Sequence, residues 1–317
     1  MGKIVALGEV VADIYRGESA SAVEMPFTAR PGGAPANVAV AASRLGTEAA
    51  FVGSVGNDLF GNFILDALQA EGVDTGGVRR CEPPTRTSLA FVEIDDDGDR
   101  EFTFYRSDPA ADELLSPEDI SEELLSGASF VNFGSIPLIQ DPVASAIHGA
   151  AKLAAGMGVS VAFDVNFREH LWESVDAARE AVDPLFDTSR IVKLSNDELS
   201  PLLGVESREE AARMLLDRGV ELVLISLGPD GAFYATSGFS GNVPAFEVDV
   251  VDATGAGDAF LAATLSHLSE GSSFDEETVR QAARRGTAAG AFACTDYGAM
   301  SALPTRDELE RFMEKRS

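Results

Sequence analysis

The chain has 317 residues, 45% of them hydrophobic, which suffices for one large domain with a substantial core and argues against disorder. Its 24 lysines and arginines against 52 aspartates and glutamates give a net charge of −28, a field that repels phosphate backbones and anionic membranes and so speaks against nucleic-acid and membrane partners. Four of the basic residues are lysines, and this acid-rich, lysine-poor balance suits a protein kept hydrated in concentrated salt.

From the N-terminus, "KIVALG" (3–8) reads as a first strand. Glu9 and Asp13 then interrupt the apolar stretch too early for a signal-peptide core, and no later apolar run reaches spanning length, so a cytoplasmic protein is expected. Residues 11–30 lack helical periodicity and are expected to add strands. A helical pattern at about 35–45 leads to the strand "AAFVGS" (49–54). In "FGNFILDALQAEG", Phe60, Phe63, Ile64 and Leu68 recur at three- and four-residue steps, with Asp58 placed as N-cap and Gly72 as stop, which predicts a helix at about 58–71.

"TSLAFVEIDDDGDREFTFYR" (87–106) predicts a hairpin, because alternating apolar runs flank an acidic turn containing Asp97-Gly98. The strands "SFVNFGS" (129–135), "VSVAFDV" (159–165), "RIVKLS" (190–195) and "VELVLISLG" (220–228) then alternate with helical stretches at about 141–157, 175–187 and 207–218. Further helices are predicted at about 256–270, 275–294 and 305–315. Such alternation indicates a single α/β domain spanning 1–317, with a doubly wound, mainly parallel sheet. Insertions at about 11–30 and 86–107 would form a small β-sheet placed to act as a lid, and pairing the exposed edges of two lids predicts a homodimer. Cys81 and Cys294, the two cysteines, stand in no CxxC or Cys/His spacing and read as free thiols in a reducing compartment.

Two glycine-rich turns carry chemistry. In "VDATGAGDAF" (251–260), following what reads as a strand in "AFEVDVV", Gly255 and Gly257 let the backbone approach a ligand, and the helix that begins there aims free N–H groups and its dipole at one point. That is an anion site, with Asp258 in the first turn beside the anion. A carboxylate there is repulsive unless it has another task, and taking a proton from an attacking hydroxyl is such a task. Read alone, the same residues also fit an ordinary glycine turn with a first-turn aspartate. In "RPGGAPANVAVAASRLG" (30–46), Gly32-Gly33 allow close backbone approach, Pro35 begins a helix, and Asn37 offers the donor and acceptor that sugar hydroxyls require, although read alone this segment more often is an ordinary turn followed by a helix. No GxxxxGK[ST] occurs and no GxGxxG follows the first strand, which removes a Walker loop and weakens a dinucleotide fold. His148, His170 and His267 stand in no ligand pattern.

Together, "GGAPAN" with "VGSVGNDLFG" and "DATGAGDAF" resemble the two signatures of the PfkB/ribokinase family of carbohydrate kinases, and the likeness covers essentially the whole chain. "FYRSDPAAD", "FDVNFREHLW", "KLSNDEL" and "YGAMSALPTRDEL" are most similar to fructokinases within that family. The resemblance implies a ribokinase-like fold and an ATP- and magnesium-dependent phosphotransferase acting on a small-molecule sugar, fructose above all. It implies that Asp258 is the catalytic base and that the amides of Gly255, Ala256 and Gly257 form an anion hole. Asp13, Gly33 and Asn37 would hold sugar hydroxyls, and Arg106 and Arg168 would face the sugar pocket. Ser226, Gly228 and Gly231 match the segment near the ATP phosphates. Glu198 would orient magnesium-bound water, and Asp252, Thr254 and Gly298 fall where some members bind a monovalent cation such as K+.

The family's Asn-x-x-Glu motif appears here as Ser195-Asn196-Asp197-Glu198, with serine in the asparagine place. A helix dipole at Asp258 would favour its anion and make it a weak base. Three rival readings remain at this stage. A kinase of 2-keto-3-deoxygluconate or another sugar acid would use Arg106 and Arg168 against a carboxylate. A non-catalytic sugar-binding protein is opposed by the intact Asp258, and a nucleotide-linked oxidoreductase by the missing phosphate fingerprint.

Overall fold

A computed structural model describes residues 2–17, 21, 23–94, 100–271 and 273–316. The strands are β1 (Lys3–Leu7), β2 (Val11–Arg16), β3 (Phe27–Gly32), β4 (Glu48–Gly56), β5 (Asp74–Cys81), β6 (Leu89–Ile94), β7 (Arg100–Tyr105), β8 (Ala128–Phe133), β9 (Ser160–Asp164), β10 (Ile191–Ser195), β11 (Leu222–Ser226), β12 (Ala232–Ala235) and β13 (Ser240–Val243). The helices are α1 (Ala34–Arg44), α2 (Leu59–Ala70), α3 (Glu122–Leu125), α4 (Val143–Gly156), α5 (Val175–Phe186), α6 (Leu199–Leu203), α7 (Arg208–Leu216), α8 (Ala256–Leu268), α9 (Glu276–Ala293) and α10 (Arg306–Glu314).

Among the described residues, nine strands form one sheet in the order β13-β12-β11-β10-β9-β8-β1-β4-β5. From β11 to β5 every pairing is parallel, and β12 and β13 extend the edge antiparallel. The central strands are apolar on both faces because helices cover both. Ile4 and Ala6 of β1 join the core beneath α1, α2, α8, α9 and α10, while Val5 and Leu7 point into the core beneath α4, α5, α6 and α7. Leu222 and Leu224 against Val223 and Ile225 repeat that alternation in β11.

The chain starts in the middle of the sheet, runs outward through β4 and β5, and returns on the other side of β1 as β8. Strand order therefore reverses between β1 and β8, the place where open α/β sheets bind ligands at the carboxyl ends of their strands. Among the described residues, β2, β3, β6 and β7 form a separate four-stranded sheet, β3-β2-β6-β7, in which β2 and β6 pair parallel and the outer pairs are antiparallel. Asp58 fastens the two parts together: as N-cap of α2 its Oδ1 accepts from Gly61 N–H at 2.8 Å, while its Oδ2 accepts from Thr87 N–H at 2.8 Å, just before β6.

Three strands are not legible in the sequence, for want of an apolar pattern or of length. β5 is an edge strand rich in glycine and arginine, and β12 and β13 span four residues each. Conversely, "AFEVDVV" (245–251) is not a strand. The β12–β13 hairpin already occupies that edge, so Phe246 and Val248 pack on the core as a connector and Val251 N–H donates to the Cys294 carbonyl at the end of α9. The predicted Asp97-Gly98 turn lies outside the described residues. Among the described residues no helix is long and apolar enough to cross a membrane, and Cys81 and Cys294 are free.

Candidate active site

A cavity of about 870 Å³ opens where the ends of β1, β9, β10 and β11 meet the N-termini of α1 and α8, with the small sheet as its outer wall. It gathers Asp13, Gly33, Asn37, Arg106, Arg168, Glu198, Ser226, Asp252, Thr254, Gly255, Gly257 and Asp258, which are scattered along the sequence. Ala256, Gly228, Gly231 and Gly298 lie outside its lining. Gly228 and Gly231 bound a one-turn 3-10 helix just beyond Ser226, and Gly298 N–H donates to Asp252 Oδ2 at 2.7 Å.

The turn into α1 requires glycine at 33. Its φ is +109°, and a Cβ there would lie 2.5 Å from the Glu9 carbonyl oxygen, so a side chain would push β1 and α1 apart. Glu9 Oε1 accepts from Ala34 N–H at 3.3 Å, which ties the helix start to the end of β1. One turn on, Asn37 Nδ2 donates to Asp258 Oδ2 at 2.7 Å. Asn37 Oδ1 and Glu9 Oε2 are buried with no hydrogen-bond partner among the described residues. An orphaned acceptor at a cavity wall is a costly arrangement that a ligand hydroxyl can relieve.

α8 begins after Gly255, which takes φ +80°. Ala256 N–H donates back to the Ala253 carbonyl at 3.2 Å, while the amides of Gly255 and Gly257 find no acceptor among the described residues and remain available to an anion. Asp258 follows, 8% exposed. Burial raises its pKa to about 6, opposed by the Asn37 hydrogen bond, with Asp164 adding to the rise and Lys193 and Arg168 working against it. This corrects the expectation of a weak base held anionic by the helix dipole: loss of water around the carboxyl outweighs the neighbours that favour its anion and brings it towards the working range of a general base.

Opposite α8, Lys193 Nζ stands 2.9 Å and 3.2 Å from the two carboxylate oxygens of Asp164, and all of these side chains are buried. Burial pulls against the Lys193 charge, but Asp164 and Glu198 more than offset it and raise its pKa. A Cβ on Gly257 would come within 3.1 Å of Lys193 Nζ, so glycine there lets the start of α8 settle against the ammonium. Glu198 receives Phe167 N–H on Oε1 at 2.6 Å and Ser195 N–H on Oε2 at 2.8 Å, which locks the ends of β9 and β10 together. Burial raises its pKa, with Lys193 opposing. Arg168 lines the cavity as an exposed side chain, and Asn166 beside it takes a left-handed φ of 42°. Asp252 accepts from Thr254 N–H on Oδ1 at 2.7 Å as well as from Gly298, so it braces the loop before α8.

Glu9, Asn166, Lys193 and Asp164 were not singled out by sequence reasoning. A signal did exist for the pair: Lys193 interrupts an otherwise apolar central strand, and a lysine so placed needs a buried carboxylate, which Asp164 supplies at the end of the neighbouring strand.

Residues 1–306 match the model of the pfkB family of carbohydrate kinases. The chain is 41% identical over 318 residues to a probable fructokinase-2 of Arabidopsis thaliana, covering 99% of this chain and 96% of that protein. A fructokinase of Vibrio cholerae O395, a double mutant with fructose, ADP and potassium ion bound, superposes with a TM-score of 0.89 at 35% identity, over 98% of each chain. The fructokinase of Xylella fastidiosa with bound ATP gives a TM-score of 0.88 at 31% identity, over 99% of this chain and 98% of that one. With a family match over residues 1–306 and relatives of this identity over nearly the whole chain, the chain belongs to the pfkB family of carbohydrate kinases.

Proposed function

We propose that this kinase transfers the γ-phosphoryl group of ATP to the 6-hydroxyl of fructose, giving fructose 6-phosphate and ADP. The carrying observation is the buried Asp258 carboxylate, hydrogen-bonded to Asn37 and placed beside the free amides of Gly255 and Gly257 in one cavity. Asp258 takes the proton of the attacking hydroxyl as its oxygen bonds to phosphorus and the bond to ADP breaks. The amides and Arg168 meet the charge on the transferred group, so the protein contributes mainly position and charge neutralisation. Gly33 and the Asn37 carbonyl would meet the sugar hydroxyls from the start of α1, and Asp13 and Arg106 from the small sheet.

Among the described residues no group of three or more His, Cys, Asp or Glu could hold a metal. One buried carboxylate whose two oxygens already receive backbone amides fits magnesium carried by nucleotide phosphates and water, with Glu198 reaching it through water. Bound there, magnesium would neutralise phosphate charge. Asp252, Thr254 and Gly298 form a braced turn suited to a monovalent cation bound through oxygen atoms. Ser226, Gly228 and Gly231 would follow the nucleotide phosphates.

The small sheet, with Asp13, Ala90, Phe104 and Arg106 on its cavity side, acts as the lid that excludes water during transfer. Phe27, Phe91 and Tyr105 cluster on it with Phe27 and Tyr105 exposed, which supports a homodimer formed through two lids. The deciding experiment is ATP turnover against fructose, ribose, glucose, adenosine and 2-keto-3-deoxygluconate. Fructose should have the highest kcat/KM, and a higher value for any other sugar overturns the assignment.

A further inference from the structure

Arg106, the arginine a sugar acid would need, is already paired. Its Nη2 donates to Asp112 Oδ2 at 3.1 Å and its Nη1 to Glu113 Oε1 at 3.5 Å. The Asp112 side chain is 4% exposed and that of Glu113 19%, so the first pair is shielded from water. Asp112 is fixed in turn by a short hydrogen bond from the fully buried Ser88 hydroxyl to its Oδ1, and Glu113 by Ala110 N–H, which donates to Oε2 at 2.9 Å. The guanidinium stacks over the Phe104 ring at 4.8 Å. Phe104 and Arg106 line the cavity, whereas Asp112 and Glu113 stand outside its lining.

We propose that Asp112 and Glu113 are specificity-determining residues: they convert Arg106 from an anion receptor into a donor for neutral hydroxyls and so exclude sugar acids. The inference rests on the sugar-kinase reading above. Arginine recognises a carboxylate through two parallel N–H bonds reinforced by its charge. Here both terminal nitrogens are engaged and the three side chains sum to one negative charge. A hydroxyl needs one remaining N–H, which the guanidinium still has. A ligand carboxylate would have to share the guanidinium with two carboxylates already bound to it, and would bring a third negative charge beside a shielded one. Discrimination of this kind works by repulsion of the wrong ligand as much as by attraction of the right one. Arg168, whose charge reaches Asp258, serves the phosphoryl end instead.

The test measures kcat/KM and calorimetric binding for fructose and 2-keto-3-deoxygluconate in the wild type, Asp112→Asn and Glu113→Gln. The wild type should favour fructose. Asp112→Asn should lower the ratio of fructose to sugar acid at least about tenfold in both readouts, about 1.4 kcal/mol, chiefly by improving the acid. Glu113→Gln keeps an acceptor for Ala110 N–H and should move the ratio the same way by a smaller factor, so the outcome does not depend on Asp112→Asn folding. An unchanged ratio, or equal losses for both ligands, overturns the charge filter and leaves the kinase assignment standing. A wild type that binds fructose without phosphorylating it overturns the kinase assignment, and the binding ratios still decide the filter.

Discussion

Asn37 Nδ2 and Asp258 Oδ2 lie 2.7 Å apart and join the N-termini of α1 and α8, whose parent motifs are separated by more than half of the chain. In the proposed mechanism this one contact sets where the sugar wall ends and the phosphate site begins. Replacing the base while keeping the hydrogen bond isolates its chemistry. Asp258→Asn should lower kcat by about 10²–10⁴-fold with little change in fructose affinity. Near-normal turnover would remove Asp258 from the role of base.

The raised pKa of Asp258 predicts the shape of the pH profile. Catalysis needs the carboxylate, so kcat/KM should fall about tenfold per pH unit on the acid side of about 6, where burial has placed the group. Stability runs the other way. The folded pKa is above that of an unfolded aspartate, so the folded chain binds this proton more tightly. Its contribution is complete below the unfolded pKa and is lost as pH rises through about 6. At pH 8, Asp258→Asn should therefore melt no lower than the wild type. A clearly lower melting temperature there, or an acid limb at the ordinary carboxylate value, would contradict the burial argument.

How much of this was legible follows from what each residue's role depends on. β1, β8, β9, β10 and β11 could be read because strands covered on both faces must be apolar throughout, and the long helices because their caps and periodicity are local properties. β5 and β13 could not, since edge strands need no such pattern, nor could β12, which is buried but spans only four residues. The glycine turn into α8 at 255–258 is a local property and was legible too. By contrast, the pKa of Asp258 depends on how deeply α8 is buried, and the neutralisation of Arg106 on a carboxylate brought in by the Ala111–Glu113 turn. The Asp112 sequence neighbours gave no sign that it would meet Ser88 and Arg106.

Lys193 and Asp164 test the energetics of the buried wall. Removing either partner strands a charge in the core, so Lys193→Met and Asp164→Leu should each lose about 3–5 kcal/mol of stability, whereas the double substitution should lose distinctly less than the sum. Chemical unfolding of the three variants measures this. Additive losses would mean that the two side chains do not depend on one another as their 2.9 Å contact implies.

The surplus of 28 negative charges predicts a response to salt. Many of the carboxylates sit exposed at helix starts, as Glu209 and Glu210 do on α7 and Glu276 and Glu277 on α9, where they satisfy their own helix but still repel one another across the surface. The Debye length shrinks from about 10 Å at 0.1 M salt to about 3 Å at 1 M, so screening relieves this repulsion in the folded state more than in the expanded chain. If the composition is an adaptation to salt, melting temperature and fructose turnover should both climb as KCl rises towards molar concentrations, and more steeply in KCl than in choline chloride. A small rise in melting temperature that saturates early, with turnover flat or falling, would show an ordinary acidic enzyme and leave the charge without a salt explanation.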